Sequence, residues 1–415
     1  MATESRTAST YRYERWRALS SGIIETAGTT FLLLIAVRWY HAGSLAKAMV
    51  AGGGSIGLML GPWLVSRVEA SGWATAKAAA RLAWLGTLSF AVMAVFPILP
   101  IFVVGSVVAM ASTTAAIPLM TQVYQENYPA GERGKFFSRT FMIRIAAAAV
   151  FSDLAGRALS NRIEFFQWLL FVFAAAFGFA GLCLERVPSR PLSVSGGTHP
   201  FRALRFVGED DLFRRTLIMW MLMGFANLMI IPLRVEYLAN TTKYGVTWDG
   251  LPLTAAKIAL FTGVVPNLAR LAMSPIWGWL FDRMNFFVLR IALNTGFALG
   301  MLTFFATDDL VGLVAGAVIY GVSNAGGDVA WSLWVTKFAP AERVADYMSV
   351  HTFFTGVRGV IAPLVAFQLA VYWSPQTISW LGAALILVAT LILIPEIKEG
   401  KHGRKAPALV EEVSE

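Results

Sequence analysis

The chain has 415 residues, of which 57% are hydrophobic and only 14% charged, and its mean hydropathy is +0.62. A soluble domain is usually about 25% charged, so this composition excludes an ordinary water-soluble globular protein. The net charge of +9 lies mainly between the apolar runs, where it sets membrane orientation, and no nucleic-acid partner is needed to explain it.

Apolar runs long enough to cross a hydrocarbon layer of ~30 Å, which takes about 20 residues of helix, recur from end to end. Twelve spans are predicted, centred on segments 19–39, 46–66, 76–97, 99–123, 136–158, 165–184, 213–236, 253–281, 287–307, 309–336, 346–371 and 376–395. The runs are continuous and too long for barrel strands, so the fold class is an all-α membrane protein. Ahead of the first span, residues 1–18 carry Arg6, Arg12, Arg15 and Arg17 with no apolar core and no cleavage site. They are expected to form a cytoplasmic arm and not a cleavable signal. Cys183 is the only cysteine, which excludes an intrachain disulfide and a thiolate metal cluster; neither metal nor cofactor is expected. With the N-terminus inside, Lys and Arg concentrate on the cytoplasmic side. Both termini are therefore expected in the cytoplasm and the protein in the cell (inner) membrane.

The longest hydrophilic interval, residues 185 to 215, parts six spans from six. The expected organisation is an arm at 1–18, a six-helix bundle at 19–184, a cytoplasmic linker at 185–212, a second bundle at 213–395 and a tail at 396–415. "YPAGERGKFFS" after the fourth span and "APAERVADYMS" after the tenth share Pro, Ala, Glu, Arg and a closing Ser. "GPWLVSR" after the second span and "GWLFDR" after the eighth are a second matched pair. Two landmarks in register indicate a duplication, a plan known among secondary transporters.

With these features the sequence resembles the major facilitator superfamily over nearly its whole length. Gly278, Asp282 and Arg283 fit that family's loop motif, with Asn285 where its second Gly would stand; in the first half only Arg67 of the motif is kept. The fifth span lacks the Gly-Pro-rich signature of the family's drug/proton antiporters. The resemblance implies two pseudo-symmetric six-helix bundles, with helices 1, 4, 7 and 10 around a central cavity and helix 2 against helix 11. It also implies that Gly278, Asp282 and Arg283 gate, with Asp282 near the start of helix 5 around Ser138 and Arg139. An Asp there would meet the unsatisfied N–H groups of a helix N-terminus. Gly53, Gly57 and Gly61 form a stripe on helix 2 whose expected role is close helix packing.

The charges inside spans carry the functional reading: Glu25, Arg144, Asp153, Arg270, Asp328 and Arg358. Ionisable side chains at that depth need a partner or a watery cavity. Asp153 precedes Arg157 by four residues, the spacing of a same-face ion pair. Arg144 faces elsewhere and needs a partner from another helix or a ligand. Arg270 and Arg358 lie near prolines Pro266 and Pro363, where a helix can bend. Guanidinium groups hold carboxylates and phosphates in bidentate fashion, so Arg144, Arg270 and Arg358 are candidate substrate ligands, with Trp331 as a stacking surface. Glu25 and Asp328 are candidates for proton coupling, since burial favours their neutral form. Trp334 reads as an interfacial anchor and His351 as a hydrogen-bonded interfacial histidine.

The expected function is a secondary active transporter that moves a small organic solute by alternating access, coupled to protons and acting as a monomer. An organic anion leads as substrate. A neutral sugar-like or amphipathic solute stays open, because the buried acids can neutralise the arginines. No HExxH, GxSxG or P-loop pattern occurs, so an enzyme is not expected.

Overall fold

A computed structural model describes residues 2–129, 132–192, 202–306, 309–337, 339 and 344–399. The apolar runs fold as long helices, since in hydrocarbon a helix satisfies every backbone N–H and C=O within itself. In chain order these are α1 (Arg6–Arg38), α2 (Ser44–Ser71), α3 (Thr75–Val95), α4 (Leu99–Asn127), α5 (Arg133–Asn161), α6 (Ile163–Glu185), α7 (Asp211–Ala239), α8 (Ala255–Phe281), α9 (Phe286–Ala306), α10 (Leu310–Leu333), α11 (Val344–Tyr372) and α12 (Pro375–Glu399). Eleven of them are apolar enough to cross a membrane by composition alone. The other, α5, carries the charges the sequence singled out.

The helices pack as two bundles. In the first, α1 lies against α5 and α6, and α3 against α6 and α4; in the second, α9 lies against α10 and α12, and α8 against α10. Large apolar side chains such as Leu88, Val104, Trp168, Val311 and Trp380 point outward, more than half exposed, as expected of a surface solvated by lipid. The bundles have a linker end, which carries residues 2, 185 and 211, and a far end opposite.

Helix α1 begins well ahead of its predicted span, already helical at Arg6. The reason is visible in its side chains. Arg17 donates through Nε and Nη2 to both oxygens of Glu14, at 2.7 Å each, and through Nη2 to the hydroxyl of Tyr124 on α4 at 2.8 Å. Tyr124 in turn donates to Glu14 at 2.5 Å. A closed set of charge-assisted hydrogen bonds thus holds the basic N-terminal residues against the bundle.

The glycine stripe of α2 packs closely, as expected, and the partner it meets is α4. Gly53 and Gly57 face α4: a Cβ on Gly57 would lie 2.0 Å from the carbonyl oxygen of Ala111, and one on Gly53 2.9 Å from Val107 Cα. Contact with α11 comes instead from Gly52 and from Gly356 and Gly359 of α11 itself. Helix α2 therefore has small residues on two faces, and periodicity alone could not say which partner each face meets.

Candidate functional site

The site is assembled where the bundles meet. On α1, Glu25 sits just before a π-helical turn, Ala27–Phe31; on α8 a second one, Leu260–Val264, precedes Arg270. Such turns are rare and concentrate at functional sites. The two π turns touch, with the hydroxyls of Thr30 and Thr262 3.1 Å apart. Close helix approach sets the rest. A Cβ on Gly22 would lie 2.4 Å from the Arg144 carbonyl, so α1 and α5 meet backbone to backbone and bring Arg144 beside Glu25. A Cβ on Gly321 would lie 2.3 Å from the Pro266 carbonyl, so α10 presses on α8 and brings Asp328 beside Arg270.

Four of the predicted residues form one chain of ion pairs. Arg144 Nε donates to Glu25 Oε2 at 2.5 Å, Arg270 Nη1 to Glu25 Oε1 at 2.7 Å, and Arg270 Nε to Asp328 Oδ2 at 2.5 Å. The ring of Phe141 lies under both guanidiniums, 5.7 Å from Arg144 Cζ and 5.1 Å from Arg270 Cζ. Exposure separates the members: the side chain of Arg270 is 6% exposed and Glu25 12%, whereas Asp328 is 27% and Arg144 40% exposed. Two acids balance two arginines, so the network is neutral as a whole. Glu25 binds one arginine from each bundle, so its charge ties the halves together. Breaking such a pair by removing one partner costs about 3–5 kcal/mol, because the other charge is left buried alone.

Asp153 and Arg157 do pair, at 2.8 Å along α5. Arg358 lies apart from the network. It donates through Nη1 to the backbone carbonyl of Trp220 on α7, inside the second bundle. His351 is also there, fully buried, with the rings of Trp220, Trp331 and Trp334 at 5.4, 5.5 and 5.1 Å. Trp331 therefore packs at a tilt against His351, and Trp334, fully buried, is a core residue and not an anchor at an interface. Of the gating set, Gly278 faces open space and Arg283 Cζ lies 4.5 Å from the centre of the Trp279 ring. The side chain of Asp282 lies outside the described residues.

Two buried arginines, Arg234 and Arg290, and the half-buried Arg17 escaped the sequence reading. Arg17 lay in the predicted arm, Arg290 at the edge of a span and Arg234 near the end of one, positions where a long side chain normally snorkels to water. Arg234 is 4% exposed, its Cζ 3.8 Å from the centre of the Tyr320 ring. The usable signal for Arg290 is Asn294, four residues on, which accepts from its Nη2 at 3.0 Å.

At the far end the bundles are latched. Arg38 of α1 donates through Nε to the carbonyl of Ala239 and through Nη2 to that of Leu253, the latter at 3.0 Å. Lys47 of α2 pairs with Glu236 of α7 at 2.6 Å, and the Ala256 N–H donates to Ser160 Oγ at 2.7 Å. A cavity of about 340 Å³ opens beside this latch, lined by Tyr237, Lys243, Tyr244 and residues 370–376. Burial lowers the Lys243 ammonium below the ordinary lysine range, opposed by Glu236. No cluster of three or more His, Cys, Asp or Glu suited to a metal ion occurs among the described residues.

Residues 254–412 match the Major Facilitator Superfamily. No curated protein matches the chain by sequence. Among solved structures, a point mutant of the nucleoside transporter NupG has a TM-score of 0.75 at 15% identity, covering 93% of this chain and 99% of that one. A D-xylose-proton symporter has a TM-score of 0.64 at 17% identity, covering 95% and 96%. The human organic anion transporter MFSD10 has 0.64 at 13%, covering 95% and 100%. At these identities the likeness is one of fold.

Proposed function

We propose, from a chain whose residues 254–412 belong to the Major Facilitator Superfamily by sequence and whose whole length has its fold, that this protein is a secondary active transporter working by alternating access. The observation that carries the reading is Glu25, held at 2.5 Å by Arg144 of its own bundle and at 2.7 Å by Arg270 of the other. The far end is latched, and the solute reaches this network from the linker end. That end faces the cytoplasm of a cell whose inner membrane the protein spans, and a single chain is the working unit.

Arg144 and Asp328 are the more exposed members and meet the solute; Arg270, more buried, transmits the event between bundles. A proton on Glu25 or Asp328 removes one negative charge from a balanced set, loosens the tie across the seam and so couples transport to the proton gradient. Gly278, Asp282 and Arg283 close the linker end against the start of α5 in the opposite state. The solute is a small organic anion whose carboxylate or phosphate docks on Arg144, which uses only Nε for Glu25 and keeps its terminal nitrogens for a ligand. A neutral polyol or nucleoside-like solute is the second reading, favoured by the charge balance of the network. The fold accommodates both, since a D-xylose-proton symporter and an organic anion transporter share it.

The test is thermal shift of purified protein against small carboxylates and their uncharged amides, with Arg144→Lys in parallel. Carboxylates are expected to raise Tm and the amides not, and Arg144→Lys, which keeps charge but loses the fork, is expected to weaken binding about tenfold or more. Equal binding of acid and amide, unaffected by the Lys variant, would move the neutral solute ahead. In proteoliposomes, Glu25→Gln should abolish gradient-driven accumulation while solute exchange persists.

A further inference from the structure

The linker-side part of the second bundle buries hydrogen-bond donors that nothing accepts from. Arg290 and His351 are fully buried and Arg358 is 8% exposed. Arg290 lies with its Cζ 3.9 Å from the centre of the Trp220 ring, while Arg358 bonds the backbone of that same Trp220. Among the described residues, Arg290 Nε and Nη1, Arg358 Nε, Trp220 Nε1 and both ring nitrogens of His351 have no hydrogen-bond partner. The charges that act on His351 are those of Arg358 and Arg290, and the one that acts on Arg290 is Arg358, all positive. Nothing negative among the described residues offsets them. The central network solves the same problem with a carboxylate for each arginine, and so does Arg17 with Glu14.

We propose that this cluster holds a small inorganic anion of halide size, chloride in the cell. A water molecule would satisfy donors but leave two like charges buried in low dielectric, whereas an anion does both. The indoles of Trp220, Trp331 and Trp334 stand 5.1–5.5 Å from His351, and a small anion is the kind that such close aromatic packing suits. A monatomic anion also accepts from any direction, as donors on Arg290, Arg358, Trp220 and His351 require. The anion sits in one bundle, distinct from the seam where the solute is read. It lies beside the α2–α11 contact, since Gly359, next to Arg358, meets Ser55 of α2.

The experiment compares the purified full chain in sodium bromide, sodium chloride and sodium gluconate at equal ionic strength. Tm is expected to rise and saturate with either halide and to stay flat in gluconate, because only an anion bound to the folded state stabilises it. Bromide-soaked crystals should show an anomalous peak between Arg290 and Arg358. Arg290→Gln and Arg358→Gln should weaken the halide response about tenfold or more, each removing a charge-assisted donor, while Arg157→Gln keeps it. If the Gln variants fail to fold, the wild-type titration and the bromide position decide. Identical Tm in bromide and gluconate, or a bromide peak elsewhere with only water at the cluster, would overturn the proposal.

Discussion

The seam between the two bundles is built differently at its two ends. At the far end, side chains from one bundle reach across to the other as Arg38 to two carbonyls, Lys47 to Glu236 and Ser160 to the Ala256 N–H. From the Glu25–Arg270 pair toward the linker end, the described residues show no hydrogen bond or ion pair between the bundles, and Phe137, Ser138, Arg139, Ile276 and Trp279 are exposed. Both ends join the same two bundles, so packing alone does not explain the difference. It lies in a few polar contacts, added at the far end to the close α5–α8 packing around Gly156.

Lys47→Met should break this asymmetry most. It leaves Glu236, 2% exposed, buried without its cation, which costs the far-end-closed state about 3 kcal/mol and shifts its equilibrium with the open state about a hundredfold. The readout is labelling of a Thr262→Cys probe by an impermeant thiol reagent, buried now and reached only when the far end opens. Arg38→Met removes two bonds to backbone carbonyls from a half-buried side chain, where solvent screening keeps each near about 1 kcal/mol and the two near about 2 kcal/mol, and should accelerate the same labelling about thirtyfold. Gly156→Ala acts through volume, because its Cβ would lie 2.8 Å from Ala259 Cβ and 3.0 Å from Ala256 Cα. Prising α5 from α8 there should cost about 1 kcal/mol and raise labelling a few-fold. Asp153→Asn removes an ion pair confined to α5; a same-helix pair contributes about 0.5 kcal/mol at most, and labelling should not change. A response to Asp153→Asn as large as that to Lys47→Met would mean that labelling follows general loosening and not the latch.

Much of the fold was legible because a membrane demands long apolar helices and leaves charges only where they are needed. Glu25, Arg144, Arg270 and Asp328 could be singled out for that reason, and the structure places them in one network. Asp153 was paired correctly with Arg157 from spacing alone. Arg358 stands out by the same rule yet belongs elsewhere, since depth in a span says that a partner is needed without saying which. Arg290 and Arg17 were hidden by their nearness to span ends, where a basic residue is ordinary. The two π turns and the two-faced packing of α2 are set by how helices meet, and no periodicity within one helix reports it. The latch residues Arg38, Lys47 and Glu236 read as boundary charges until their opposite ends are seen to touch.

Alternation between the two ends can be read from paired distances in one molecule. With Cys183 replaced by Ser, spin labels at residues 41 and 242 report the far end and labels at 135 and 285 the linker end, in wild type and in Lys47→Met. His41, Thr242, Lys135 and Asn285 are exposed and lie outside the seam contacts described above. The account predicts that Lys47→Met lengthens the 41–242 distance and shortens the 135–285 distance in the same molecules, one end closing as the other opens. A far end that widens while the linker end stays as it was, or both ends widening together, would contradict it.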